Sequence, residues 1–203
     1  MSRVKKIILP TDWNEVTIDQ YREVWKVYER ETEPYNAVRR AIEVLAGLEQ
    51  GELQHAEWTS IEHSANIIHW FLQEPDASTM KMPLQTLIDH KGQRYGFIPD
   101  WTKLTVGEFA DLETYCAAGF FEHINEIISI LYRPIKQEHK DFYQIEEYTG
   151  DVFPDYWDDL KMHVVLGATN FFLSIGETLT TDLVNSLAVK DKLTSSRKNG
   201  AGT

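Results

Sequence analysis

Through most of this chain apolar residues recur every three or four positions, and in one region that period gives way to alternation. The longest helical run comprises Val106, Phe109, Leu112, Cys116, Phe120, Ile124, Ile127 and Leu131. Such spacing keeps side chains on one helical face and predicts that the face is buried. Thr105 can cap the amide of Glu108, Glu108 can reach back to the amide of Thr105, and Leu104 can staple onto Phe109. Pro134 cannot continue a helix, and Ala117-Ala118-Gly119 offers a bend on the way.

Upstream, Val4 to Leu9 reads as a short strand or arm ending at Pro10. A second capping box, Thr17 with Gln20, predicts a helix to about Arg30 with Ile18, Tyr21, Val24, Trp25 and Tyr28 inward. Glu33-Pro34 resets the chain for a helix carrying Ala37, Val38, Ala41, Ile42 and Leu45 before Gly47. A third helix is expected from about Ala56 to Leu72, with Trp58, Ile61, Ala65, Ile68 and Leu72 on its inner side and Pro75 beyond it. The period then changes to two between Leu84 and Ile98, around His90-Lys91-Gly92, which predicts a β-hairpin.

Beyond Pro134 the chain reads as an acidic loop interleaved with Phe142, Tyr143, Tyr148, Phe153, Tyr156 and Trp157. A solvated acidic loop has no use for those rings, so it is expected to pack back onto the domain or onto a neighbour. Two helices, about Asp155 to Ser174 and Glu177 to Val189, follow. The fold class expected is mainly α with some β: one helical domain over 1–189 with a single hairpin, then a Ser/Gly/Lys-rich tail over 190–203. Trp13 and Trp101 each stand four residues before a capping Thr. That is either a shared start signature or a diverged strand-turn-helix repeat.

Composition narrows the function. With 42% hydrophobic and 12% aromatic residues in 203 positions the chain can bury a sizeable core, and its formal charge of −12 opposes a broad phosphate-binding face, so no sequence-specific nucleic-acid contact is expected. Cys116 is the single cysteine and excludes a disulfide framework. The apolar run from His163 to Ile175 is too short to span a bilayer, so no membrane partner is expected.

Chemistry is thinly represented. Glu52-x-x-His55 has the spacing of half a carboxylate-bridged metal site, but the second half and the facing glutamates are missing. No nucleophile elbow, phosphate loop or dinucleotide fingerprint occurs, so the expectation is no catalytic residue, no metal and no cofactor. Leu131-Tyr-Arg-Pro-Ile135 is the most distinctive short motif. Tyr132 and Arg133 are residue types favoured at interfaces, though a helix C-terminus accounts for them equally well. Trp13, Trp101 and Trp157 join them as candidate interface anchors, with Arg197 and Lys198 of the tail as the charged contacts.

Together, the Trp-led helix start (Trp13 to Tyr21, Trp101 to Phe109), the Tyr95-Gly-Phe97 strand and Leu131-Tyr-Arg-Pro-Ile135 resemble small structural proteins of tailed bacteriophages, notably the crAss-like group infecting Bacteroidales. The resemblance runs from about Pro10 to Ile175 and implies a virion or assembly role with no catalytic residue to carry over. It makes the expected function that of a virion structural protein, a homo-oligomeric ring or connector subunit of the head-tail neck or tail that contacts neighbouring virion proteins. The alternatives are a tail assembly chaperone, an internal cargo protein or a small helical enzyme.

Overall fold

Two capping boxes and one glycine-containing turn fix most of the local structure. The computed structural model describes residues 7–72, 82–140 and 142–171. Gln20 N–H donates to Thr17 Oγ1 at 3.2 Å while Thr17 N–H donates to the Gln20 side chain at 3.1 Å, opening helix α1, Ile18–Arg30. The remaining amides of its first turn are satisfied from a distance, Ile18 N–H by Leu160 O at 3.0 Å and Asp19 N–H by Asp158 O at 2.9 Å. Pro34 starts α2, Pro34–Leu45, and α3 spans Trp58–Leu72. The apolar spacing of α1 and α2 is realised as expected, with Ile18, Tyr21, Val24, Ala37, Ala41, Ile42 and Leu45 buried.

The alternating segment forms the hairpin β1, Leu87–His90, and β2, Gln93–Phe97. Its two turn residues, Lys91 and Gly92, both have positive φ (47° and 79°), the geometry whose twist suits two-residue hairpins. One hairpin, however, understates the sheet. The chain from Tyr132 to Glu138, expected to leave a helix as loop, is strand β3. It pairs antiparallel with β2 through Tyr95↔Pro134, Gly96↔Arg133 and Phe97↔Tyr132. A fourth strand, β4, Tyr143–Ile145, completes the order β1-β2-β3-β4. Proline stopped the helix as argued, but its extended backbone is equally suited to a strand.

The long helical run is divided. Helix α4 covers Val106–Gly119 and α5 covers Ile124–Leu131. Gly119 takes φ +130°, a conformation closed to most side chains, and the turn after it re-aims the chain. The capping box at Thr105 and Glu108 forms as read, yet Val106 and Phe109 are 86% and 52% exposed, so the N-terminal half of the expected buried stripe faces outward. In contrast α5 is buried on nearly every side through Ile124, Asn125, Ile127, Ile128, Ser129, Ile130 and Leu131. A helix apolar all round belongs in a core.

The last described helix, α6, occupies 162–171, starting later than the Asp155 expected. It too is deeply buried, with Met162, Val164, Val165, Leu166 and Ala168 inside. Met162 N–H and His163 N–H bond back to Val16 O and Trp13 O at 2.9 and 3.1 Å, clamping the first turn of the chain over α6. The arm shows no strand over residues 7–9, whereas Trp101 does follow a strand; the rest of the expected Val4-to-Leu9 strand lies outside the described residues. The expected end of α3 at Pro75, the helix from 177 to 189 and the tail 190–203 lie outside the described residues.

Gly96 shows how tightly the sheet is closed. A Cβ there would lie 2.5 and 2.7 Å from ring atoms of Tyr143 and 2.9 Å from Ile145. Gly96→Ala is therefore expected to push β4 off β3 and cost about 1–3 kcal/mol. Faster amide exchange confined to 135–145 in the variant checks this, and unchanged exchange there would show that β4 accommodates the methyl group.

Candidate functional site

Of the aromatic residues of the acidic segment, Tyr143, Tyr148, Tyr156 and Trp157 pack back onto the domain, whereas Phe142 and Phe153 are more than half exposed. Between β2, β3 and the segment 146–157 lies a cavity of about 460 Å³. Its inner wall is set by a buried polar relay. Ser129 Oγ donates to Asn125 O at 2.7 Å and accepts from Trp157 Nε1 at 2.8 Å. Asn125 Oδ1 accepts from Trp157 N–H at 2.9 Å, and Asn125 Nδ2 donates to Asp158 at 2.7 Å, where Arg22 also bonds at 3.0 Å. Each polar side-chain atom of the relay has a partner, so Trp157 is held in one place at 1% exposure. His90 stacks on it at 4.7 Å between centroids, and Tyr95 meets it edge-on at the same distance.

Around this floor the phenols are all engaged. Tyr95 and Tyr156 share a 2.7 Å hydrogen bond, Tyr132 donates to Gln85 O at 2.7 Å, and Tyr148 donates to Asp111 at 2.6 Å. Burial raises the Tyr95 pKa well above that of free tyrosine, and the bond to Tyr156 raises it further. Burial does the same for Tyr132, and for Tyr148 burial acts together with the bond to Asp111. These rings stay protonated at neutral pH and present faces, not reactive oxygens, to the cavity.

Arg133 is the one basic side chain on the lining; one terminal nitrogen is committed to an acidic neighbour, while its Nε is buried without a hydrogen-bond partner among the described residues. Its guanidinium meets Glu108 at 2.7 Å, with the two side chains 13% and 3% exposed. The pair ties α4 to the sheet and neutralises the charge. Glu146, Glu147 and Asp151 stand exposed on the rim, without an ion pair among the described residues, and Phe153 projects at the mouth with 56% of its surface in solvent.

The candidate interface residues therefore divide by depth. Trp13 is 4% exposed and packs edge-on against Trp70 at 5.0 Å and against Phe71 at 5.3 Å. Tyr132 and Trp157 are each 1% exposed. Those three are core residues and offer no surface in the folded chain, while Arg133 is committed to Glu108. Trp101, in a short 3-10 turn over 101–103, is half-buried against Phe97 and Phe171. Arg197 and Lys198 lie outside the described residues. What brings Tyr132, Arg133 and Trp157 together is the cavity, two of them from the Leu131-to-Ile135 motif and one from the acidic segment.

Sequence reading missed Asn125 and Ser129, which build it, the identity of Glu108 as the acidic partner of Arg133, and, elsewhere in the core, the buried Glu43. Asn125 and Ser129 had a signal, since a polar residue inside an otherwise apolar octet predicts a buried partner. Trp58, expected inward, is 59% exposed and stacks on Tyr35 at 5.0 Å. Cys116 is half-buried, and burial pushes its thiol pKa up, so it lacks the thiolate character of a reactive cysteine. Among the described residues no three His, Cys, Asp or Glu gather in a metal-binding group, and no helix is long and apolar enough to cross a membrane. No family model, curated protein or solved structure matches the chain.

Proposed function

We propose that this chain is a non-catalytic structural subunit of a bacteriophage virion, assembling with copies of itself as a ring or connector in the head-tail neck or tail region. The observation that carries the reading is the distribution of exposed apolar side chains on an acidic surface. Tyr35 and Trp58 form one site at α2 and α3, Val106 and Phe109 a second at the start of α4, and Phe142 before β4 and Phe153 at the cavity mouth stand apart from both, the six being 40–86% exposed. Exposed apolar surface on a folded chain marks contact sites. Rings are built from head-to-tail contacts, which use two different patches on each subunit, whereas a twofold dimer uses one. Separate patches on separate elements suit the former.

Purified full-length protein is expected to form a closed oligomer of fixed copy number by native mass spectrometry and electron microscopy, and to be present in purified particles. A protein monomeric at all concentrations and absent from particles would overturn the reading. Absence from particles with recovery bound to tail proteins in infected cells would instead make it a tail assembly chaperone.

A further inference from the structure

We infer that the cavity lined by Tyr95, Arg133, Tyr148, Phe153, Tyr156 and Trp157 receives the basic C-terminal segment, residues 190–203, of a second copy of this chain. The inference rests on the reading of the chain as an oligomeric subunit. Its first support is the chemistry of the cavity. The phenolic hydroxyls are consumed by bonds within the fold and offer an anion nothing, which leaves the Nε of Arg133, itself beside the Glu108 carboxylate, as the unpartnered side-chain donor on the wall. The single guanidinium on its wall is balanced by Glu108, leaving Glu146, Glu147 and Asp151 to set a negative rim. Aromatic faces behind a negative rim attract an ammonium or guanidinium group.

The fold already demonstrates the affinity once. Lys91 Nζ sits 4.7 Å from the centroid of the Tyr156 ring and donates to Tyr156 O at 2.6 Å, so a lysine from β1's turn has found the outer part of this same aromatic cluster. A cavity of about 460 Å³ falls in the range that holds a small ligand or a few side chains, roughly 300–1,000 Å³.

Charge identifies the occupant. Lys190, Lys192, Arg197 and Lys198 lie in the last 14 positions against Asp191 alone, while the whole chain carries −12; the other basic run, Arg3, Lys5 and Lys6, lies directly before Ile7, the first described residue, and has little chain with which to reach a neighbour. The C-terminal end does reach. Between Phe171, the last described residue, and Arg197 lie 26 residue steps, and at roughly 3.3 Å per extended residue they span up to about 85 Å, beyond the width of one domain. Leu193 supplies an apolar side chain for Phe153 at the mouth. In a ring, neighbouring copies hold cavity and tail at high effective concentration, so a contact too weak between free monomers is populated in the assembly.

The test is carbodiimide coupling, which joins a lysine amine to a carboxylate only where the two touch, on full-length protein assembled from an equal mixture of isotope-labelled and unlabelled copies. Mass spectrometry is expected to find Lys190, Lys192 or Lys198 joined to Glu146, Glu147 or Asp151, with mixed-isotope pairs among them. Phe153→Ala removes an exposed ring while leaving every carboxylate in place, and is expected to lower the yield of those links by about fivefold without changing the circular dichroism. Arg197→Ala with Lys198→Ala should lower the remaining Lys190 and Lys192 links similarly, more so in high salt.

Tail links spread evenly over other carboxylates, or a yield indifferent to Phe153→Ala, would overturn the inference. Same-isotope pairs alone would place the tail in its own cavity and overturn the exchange between copies. Such results in a protein that still forms rings and enters particles would remove the docking and leave the subunit reading intact, while a monomer absent from particles removes the reading itself.

Discussion

Replacing Glu43 by Gln is expected to lower the unfolding free energy by about 3–5 kcal/mol, the cost of breaking a buried charge network from one side. Glu43 is 0% exposed, and its carboxylate takes five contacts: Arg39 at 2.9 Å, Arg40 at 2.6 Å, Gly51 N–H to both oxygens at 3.1 Å, and Leu53 N–H at 3.0 Å. Glutamine would keep one acceptor, turn an NH2 group toward existing donors, and leave two largely buried guanidinium groups without a counter-charge. Denaturant titration at neutral pH measures the loss, and a change below about 1 kcal/mol would show that water replaces the carboxylate there.

The pH dependence of the same variant has a definite sign. Burial alone would raise the Glu43 pKa, but the bond to Arg40, the amides of Leu53 and Gly51 and the charge of Arg39 outweigh it, so the folded value lies below the ordinary 4.5. A folded pKa below the unfolded one means stability present above pH 4.5 and lost as pH falls through the folded value. Glu43→Gln has no such group to protonate. The gap between the two proteins should therefore be full at neutral pH and close as pH drops below about 4.5.

Glu43 also shows where the sequence stopped being informative. With Arg39 and Arg40 four and three residues before it on α2, it reads as an ordinary exposed helix pair. Only the return of the loop through Gly51 and Leu53 covers it, and that is a tertiary event with no local signature. By contrast, capping boxes, the Pro34 helix start and the Lys91-Gly92 turn are decided by neighbours within four residues, and these were legible. The division of α4 from α5 falls between the two. Gly119 was visible as a bend, but the apolar stripe continued straight through it, and nothing in the spacing said that Val106 and Phe109 would face outward while Ile128 and Ile130, off the stripe, would be buried. Trp157 was legible as a ring that must pack somewhere. Its depth depends on Asn125 and Ser129, 32 and 28 residues away along the chain.

Arg133→Met is expected to cost about 3–5 kcal/mol, because it leaves the Glu108 carboxylate, 3% exposed, without its cation. The loss should be local before it is global. Helix α4 buries only Glu108 and Leu112, and beyond them the Tyr148–Asp111 bond is its side-chain hydrogen bond to another element. Releasing Glu108 should therefore raise amide exchange through 106–119 well ahead of α5 and the sheet. Glu108→Gln on the Arg133→Met background removes the stranded charge while keeping an acceptor for the Thr105 amide, which Glu108 holds at 2.6 Å. The double variant is expected to recover most of the loss. If it is no more stable than Arg133→Met alone, the deficit comes from lost packing of the arginine stem between α4 and β3, and the ion pair is not what fastens α4 to the wall of the cavity.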